Sequence, residues 1–346
     1  MNALVTGGGG FLGSAIVRRL RQRGDHVHSL ARGHYPELDA LGVTQHQGDL
    51  ADTIAVSRAA TGCDIVFHVA AKAGVGGRYR DYHRANVLGT ANVLTACCHH
   101  GITRLVYTSS PSVVFNGQDM AGVDESTPYP SHYEAAYPQT KALAERMVLS
   151  ANGAALATVS LRPHLIWGPG DNHLIPRILA RARAGRLRRI GTESKLIDSV
   201  YIDNAADAHL LAADHLAPGS PIAGKAYFIS QGEAVPLWDL VNRILGAAGL
   251  GPITRSVSPR LAYVVGWLLE TIYALFRWDS EPPLTRFIAR EMTTAHWFDL
   301  RAARRDLGYE PKVSLDEGLR RLALSLRATV DSIPDSEYAA DDSLLP

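Results

Sequence analysis

The sequence predicts an α/β fold: a doubly wound parallel sheet with a smaller, mostly C-terminal lobe. Three observations carry this. Short apolar runs alternate with helix-length amphipathic segments through the first half of the chain, a glycine-rich turn joins the first run to the first helix, and the alternation loosens after Trp167-Gly168-Pro169-Gly170. Strands separated by helices need crossovers, so their sheet is parallel.

The apolar runs fall at residues 3–5, 26–30, 43–46, 65–69, 105–107 and 157–161. Between them, residues 14–23, 53–60, 82–99 and 137–151 carry apolar side chains at helical spacing. Two later pieces, 199–203 and 226–229, read as returns to the core. Beyond about Asp331 the chain is polar, acidic and poor in apolar residues, which predicts a disordered tail over 331–346.

Composition sets outer limits. The 346 residues are 46% hydrophobic and 20% charged, ample for a sizeable core. Basic and acidic side chains number 35 and 34, a net charge of +1, so nothing supports nucleic-acid binding. One local exception is the run 177–189, with six arginines and no acid. It reads either as a solvated helix face or as a patch for an acidic head group or partner. The three cysteines (Cys63, Cys97, Cys98) make neither a disulfide framework nor a CxxC or Cys/His metal spacing, which fits a reducing cytoplasm and no metal. The N-terminus runs directly into an apolar run, so no signal peptide is expected.

Residues 261–276 hold fifteen uncharged side chains and Glu270, followed by Arg277 and Trp278. At about 18 residues the segment is marginal for spanning a bilayer. It is expected to be a helix packed within the second lobe or against a partner, with a membrane-surface helix or the wall of a long lipid tunnel as alternatives.

Thr6-Gly7-Gly8-Gly9-Gly10-Phe11-Leu12-Gly13 follows the first strand and opens the first helix. Gly7 permits the sharp turn, Gly10 lets a pyrophosphate approach the backbone, and Gly13 allows close helix–strand packing. The helix N-terminus at Phe11 and Leu12 then offers free N–H groups to phosphates. The second strand ends Ser29-Leu30-Ala31-Arg32-Gly33-His34, without the acid that binds a ribose 2′-hydroxyl in NAD enzymes. Arg32 can pair with a 2′-phosphate instead, which favours NADP(H) over NAD(H), unless it only stacks on adenine. Asp49, before Leu50, can accept from the adenine amino group or cap the next helix. Residues 1–167 are thereby assigned to a dinucleotide-binding domain with returning segments at about 196–230, and 168–195 with 231–330 to a substrate lobe.

Tyr137 and Lys141 stand at i and i+4 on one helix face. A neighbouring ammonium is expected to lower the phenol from its usual value of about 10. Upstream, Val106-Tyr107-Thr108-Ser109-Ser110 is a strand ending in hydroxyls. Ser110, or Ser109 beside it, can hold a carbonyl while Tyr137 delivers a proton.

These motifs, with His68-Val69-Ala70-Ala71, Asn86-Val87-Leu88-Gly89-Thr90, Leu161-Arg162-Pro163, Trp167-Gly168-Pro169-Gly170 and Tyr201-Ile202-Asp203-Asn204-Ala205-Ala206, resemble the extended short-chain dehydrogenases in order over about residues 2–325. The resemblance implies that Ser110 binds the carbonyl, Tyr137 is the acid and Lys141 holds the nicotinamide ribose. It places Ala70, Ala71 and Lys72 along the ribose, Asn86 on the helix near the cofactor (or as a capping or helix-face residue), and Pro163 to Ile166 beside the nicotinamide. Arg32 argues against the nucleotide-sugar branches.

Residues 31–35, 68–75, 204–206 and 281–287 look instead like the 3β-hydroxysteroid dehydrogenase branch, and within it the reductases of bacterial olefin biosynthesis. Those reduce 2-alkyl-3-oxoalkanoates with NADPH ahead of β-lactone formation by partner enzymes. A steroid or other ketone reductase, and an NADP-sensing binding protein, are the alternatives. A two-chain fatty substrate needs an apolar cavity, for which 261–276 is a candidate wall, and a cation for its carboxylate, for which Arg78, Arg80, Arg84 and His164 are candidates. A homodimer through the helices 82–99 and 137–151 is also implied, with membrane-surface contact open.

Overall fold

A computed structural model describes residues 1–331 apart from Ser194, Arg277 and Asp279. Each expected apolar run becomes a strand of one sheet: β1 (Asn2–Thr6), β2 (His26–Ala31), β3 (Thr44–Gln47), β4 (Ile65–His68), β5 (Arg104–Thr108), β6 (Ala157–Pro163) and β7 (Lys225–Ile229). Their order is β7-β6-β5-β4-β1-β2-β3 and every pairing is parallel. The order reverses between β1 and β4, so the crevice for a ligand opens at the carboxyl ends of those two strands.

Alternation along each strand feeds two apolar layers. Ala3 and Val5 of β1 join the layer under helix α1 (Phe11–Gln22), while Leu4 packs on the other face with Val93 and Val148. Those two residues come from α2 (Gly89–His100) and α3 (Ala136–Ser150). The expected 82–99 helix is thus interrupted: a π-helical stretch, His83–Leu88, precedes α2.

Of the two anticipated returns to the core, 226–229 lies in β7. The other differs: Val200–Tyr201 pairs with Ile166–Trp167 outside the seven-stranded sheet, and Ile202 already begins helix α4 (Ile202–His215). The expectation of a disordered tail concerns residues that, from 332 on, lie outside those described.

Above the carboxyl edge sits a second, four-stranded sheet built from Met120–Val123, Leu196–Ile197, Val235–Pro236 and His296–Phe298. Two helices of the same lobe pack on each other: α5 (Pro259–Leu275) and α6 (Arg286–Glu291). The apolar α5 is not packed away as expected. Only Ala262 and Gly266 are buried, because the small residues alone meet the neighbouring backbone; a Cβ on Gly266 would lie 2.7 Å from the Thr285 carbonyl carbon.

Candidate active site

A cavity of about 1220 Å³ runs along the carboxyl edge from the glycine turn to the second sheet. At one end Gly7, Gly10, Phe11, Leu12 and Gly13 line it. Gly7 has φ +71°, a region costly for other residues, and a Cβ on Gly13 would lie 2.0 Å from the Gly7 carbonyl oxygen. No side chain caps α1 and no acid occupies its first turn. That leaves uncapped N–H groups at a concave, side-chain-free surface, which suits a pyrophosphate. The residues present therefore fit a dinucleotide at this end.

Arg32, exposed at the end of β2, lines the same wall, with Asp49 and Leu50 beyond it. Asp49 does not cap the following helix; Asp52 does, accepting from the backbone N–H of Ile54 and Ala55. Asp49 Oδ1 accepts from the Ala51 N–H at 2.9 Å, and its carboxylate lies 3.5 Å from Arg84. Ala70, Ala71, Lys72, Pro163 and Ile166 also line the cavity. Leu165, between the last two, is the one non-glycine with positive φ (41°) among the described residues, a conformation that concentrates at functional sites.

Asn86 does not line the cavity. It is buried, accepts from the Lys72 N–H at 2.7 Å, and donates to the Lys72 carbonyl at 3.1 Å and to Thr140 Oγ1 at 3.0 Å. It ties the Lys72 strand end to α3. In the same motif Thr90 bonds His68, which also reaches Thr6, each at 2.9 Å. Burial, with Lys141 nearby, pushes His68 down to about 3, so it is neutral and structural.

Helix α3 presents Tyr137, Lys141 and Glu145 one turn apart along one face. Tyr137 and Ser110 both line the cavity, and the Ser110 hydroxyl is near enough to favour the ionised phenol. Ser110 sits just past the end of β5 with an extended backbone; its hydroxyl accepts from the Ser112 N–H at 3.3 Å and lies 2.9 Å from the Ser112 hydroxyl. Ser109 is buried, its hydroxyl without a hydrogen-bond partner among the described residues. Lys141 Nζ donates to the Thr108 carbonyl at 2.6 Å and lies 4.1 Å from the Tyr107 ring centre. One turn on, Glu145 is fully buried against Arg162 at 2.7 Å. Burial pushes that carboxyl up, but the guanidinium outweighs it and holds it below the usual range.

The expected lowering of the phenol is not what the buried pair produces. Burial raises Tyr137 above its usual value, the neighbouring Ser110 hydroxyl only partly offsets this, and Glu291 adds to it. Burial also brings Lys141 down to about 7, with Glu145 opposing. Placing both groups in a low-dielectric wall disfavours the charge on each.

Glu291, at the end of α6, was invisible to motif reading. It faces the cavity near Tyr137 together with Met120, Phe287 and His296, and makes no hydrogen bond or ion pair among the described residues. Burial pushes it up to about 8. Of the candidate cations for a carboxylate, Arg84 and His164 line the cavity, and Arg78 and Arg80 do not. Arg80 lies 3.7 Å from Asp81, Arg84 is beside Asp49, and His164 is 2.7 Å from Asp198; Arg78 lines a separate cavity. None of residues 261–276 lines the main cavity, so that segment does not wall it.

The parallel order, the uncapped glycine turn and the Ser–Tyr–Lys edge define a nicotinamide-dependent oxidoreductase of the extended short-chain type. The chain belongs to the 3-beta hydroxysteroid dehydrogenase/isomerase family, whose model matches residues 4–258. It is 54% identical over 331 residues to the 2-alkyl-3-oxoalkanoate reductase of Stenotrophomonas maltophilia (strain K279a), covering 95% of this chain and 100% of that protein. It is 52% identical over 333 residues to the reductase of the same name from Shewanella oneidensis, covering 94% and 86%. Among solved structures, MoeE5 in complex with UDP-glucuronic acid and NAD superposes with a TM-score of 0.74 at 26% identity, over 95% of this chain and 100% of that one.

Proposed function

We propose that this chain is an NADPH-dependent 2-alkyl-3-oxoalkanoate reductase, forming 2-alkyl-3-hydroxyalkanoates. The observation that carries the chemistry is the juxtaposition of Ser110, Tyr137 and Lys141 in one cavity with the glycine turn. The two relatives of the same name, matched over nearly their whole lengths, supply the substrate class.

A dihydronicotinamide bound there supplies the hydride for the 3-keto carbon. Tyr137 gives its proton to the developing alkoxide, for which its raised value suits it: the phenol stays protonated at neutral pH. Ser110 donates a second hydrogen bond to that oxygen. Lys141, held by the Thr108 carbonyl, binds the ribose and relays a proton to the phenol; near pH 7 it exchanges one readily. Asn86 positions the Lys72 backbone at the ribose side. Asp49 accepts from the adenine amino group, and Arg32 pairs with the 2′-phosphate.

Glu291, neutral below about 8, donates a hydrogen bond to the substrate carboxylate. The smaller lobe, over 168–195 and 231–330, forms the substrate side, and the protein acts as a homodimer within the pathway that makes long-chain olefins. The test is NADPH oxidation with a 2-alkyl-3-oxoalkanoate against a 3-ketosteroid. Turnover of the keto acid is expected; efficient steroid reduction without keto acid turnover would overturn the reading.

A further inference from the structure

The largest unexplained feature is the outer face of α5. Leu261, Val264, Val265, Leu268 and Leu275 are 37–74% exposed and recur at the i, i+3, i+4 spacing of one helical stripe. Trp267 and Trp278 are also half exposed, at 50% and 52%. Soluble surfaces rarely leave so many large apolar side chains together in water. The helix spans 17 residues, and no helix among the described residues is long and apolar enough to cross a membrane. Such a helix can lie along an interface, with tryptophans at the level of the head groups.

The charge around it is mostly positive, with Glu281 at its far end paired to Arg177. Residues 177–189 carry six arginines and no acid, and residues 252–269 carry Arg255 and Arg260 and no acid. Folding brings these stretches to both ends of α5. At its start, Ser256–Val257 pairs with Arg189–Ile190, and the Arg189 N–H donates to the Arg255 carbonyl at 2.9 Å. At its end, Arg177 lies 2.8 Å from Glu281 and Arg181 donates to the Pro283 carbonyl at 2.6 Å. Glu270, the acid within the helix, is already taken by Arg286 at 2.6 Å. In a chain of net charge +1 this concentration is local.

We propose that the outer face of α5 and its bracketing arginines seat the protein on an anionic lipid surface, the helix lying in the plane of the head groups. A second copy of the chain fits less well, since a two-fold interface would set the same arginine-bracketed patch against itself. The seat also stands next to the site. A second cavity, of about 560 Å³, is lined by Tyr273, Ala274 and Trp278 on the helix side, and Val75 is common to it and the catalytic cavity. A lipid surface on α5 therefore lies beside a cavity that adjoins the catalytic one at Val75.

Flotation of the full chain with vesicles tests this without any substrate, so its outcome is separate from that of the reductase reading. Vesicles of phosphatidylglycerol with phosphatidylethanolamine should carry the protein upward, and vesicles of phosphatidylcholine should carry at least about tenfold less. The double variant Val264→Asp, Leu268→Asp should lose vesicle binding while keeping the wild-type Tm, because both side chains are solvent-exposed. Arg255→Ala with Arg260→Ala, or about 0.5 M salt, should weaken it several-fold. The proposal is overturned if the wild type stays with the aqueous fraction. It is equally overturned if the aspartate variant floats undiminished, or if that variant turns a dimer into a monomer while neither protein binds vesicles.

Discussion

The wall of the cavity formed by α3 and β5 differs sharply from the wall formed by α6. On the first, the charged and amide groups are held by named partners, Lys141 by the Thr108 carbonyl, Glu145 by Arg162, Asn86 by Lys72 and Thr140, while the Tyr107 and Ser109 hydroxyls beside them have none. On the second, Glu291 has none. A buried polar group is normally partnered, because leaving it unpaired costs about 1–3 kcal/mol. The difference teaches which wall is preorganised for fixed chemistry and which waits for a ligand to complete it.

Substitutions on the two walls should therefore fail differently. Tyr137→Phe keeps the ring and removes the proton, and should lower kcat by about 10²–10⁴-fold with little change in KM, read by steady-state NADPH oxidation. Glu145→Gln leaves Arg162 as an uncompensated buried charge. Chemical denaturation should show a loss of about 3–5 kcal/mol, and a loss below about 1 kcal/mol would break the claim that this wall is rigidly paired. Arg32→Ala should weaken NADPH about 10- to 100-fold while leaving NADH nearly unchanged, the size of one or two charge-assisted hydrogen bonds. Equal losses for both cofactors would mean that Arg32 only stacks on adenine.

The smallest effect belongs to the unpartnered wall and is seen in pH rather than in rate. Glu291 is raised from 4.5 to about 8, so it is neutral below that value and an anion above it. In wild type, KM for the keto acid should rise as pH climbs through about 8, and Glu291→Gln should flatten that rise. Linkage gives a second readout: the folded state holds this proton more tightly than the unfolded one. Stability contributed by the neutral carboxyl is thus present below 4.5 and lost as pH rises toward about 8, and the glutamine variant should lose that slope.

Legibility in the sequence followed the same division. The seven strands, the glycine turn and the Ser110, Tyr137 and Lys141 edge were readable because each rests on local periodicity or short spacing. Glu291 was not, since it stands 154 residues beyond Tyr137 and meets the same cavity only through the tertiary fold. The 261–276 run was read by its composition, which marks a buried helix and an interfacial one alike; exposure, decided by what packs against Gly266, separates them. The titration of Tyr137 and Lys141 depended on burial, which an i, i+4 spacing does not reveal.

The central claim is that the preorganised wall directs hydride to a keto carbon and a proton from Tyr137 to its oxygen. The most direct measurement is mass spectrometry of the product formed from a 2-alkyl-3-oxoalkanoate and NADPH deuterated at the transferable nicotinamide position. The account predicts one deuterium on the carbinol carbon of the 3-hydroxy acid with wild-type enzyme, and almost no product with Tyr137→Phe. Unlabelled product, or full labelled turnover by the Tyr137→Phe variant, would contradict it.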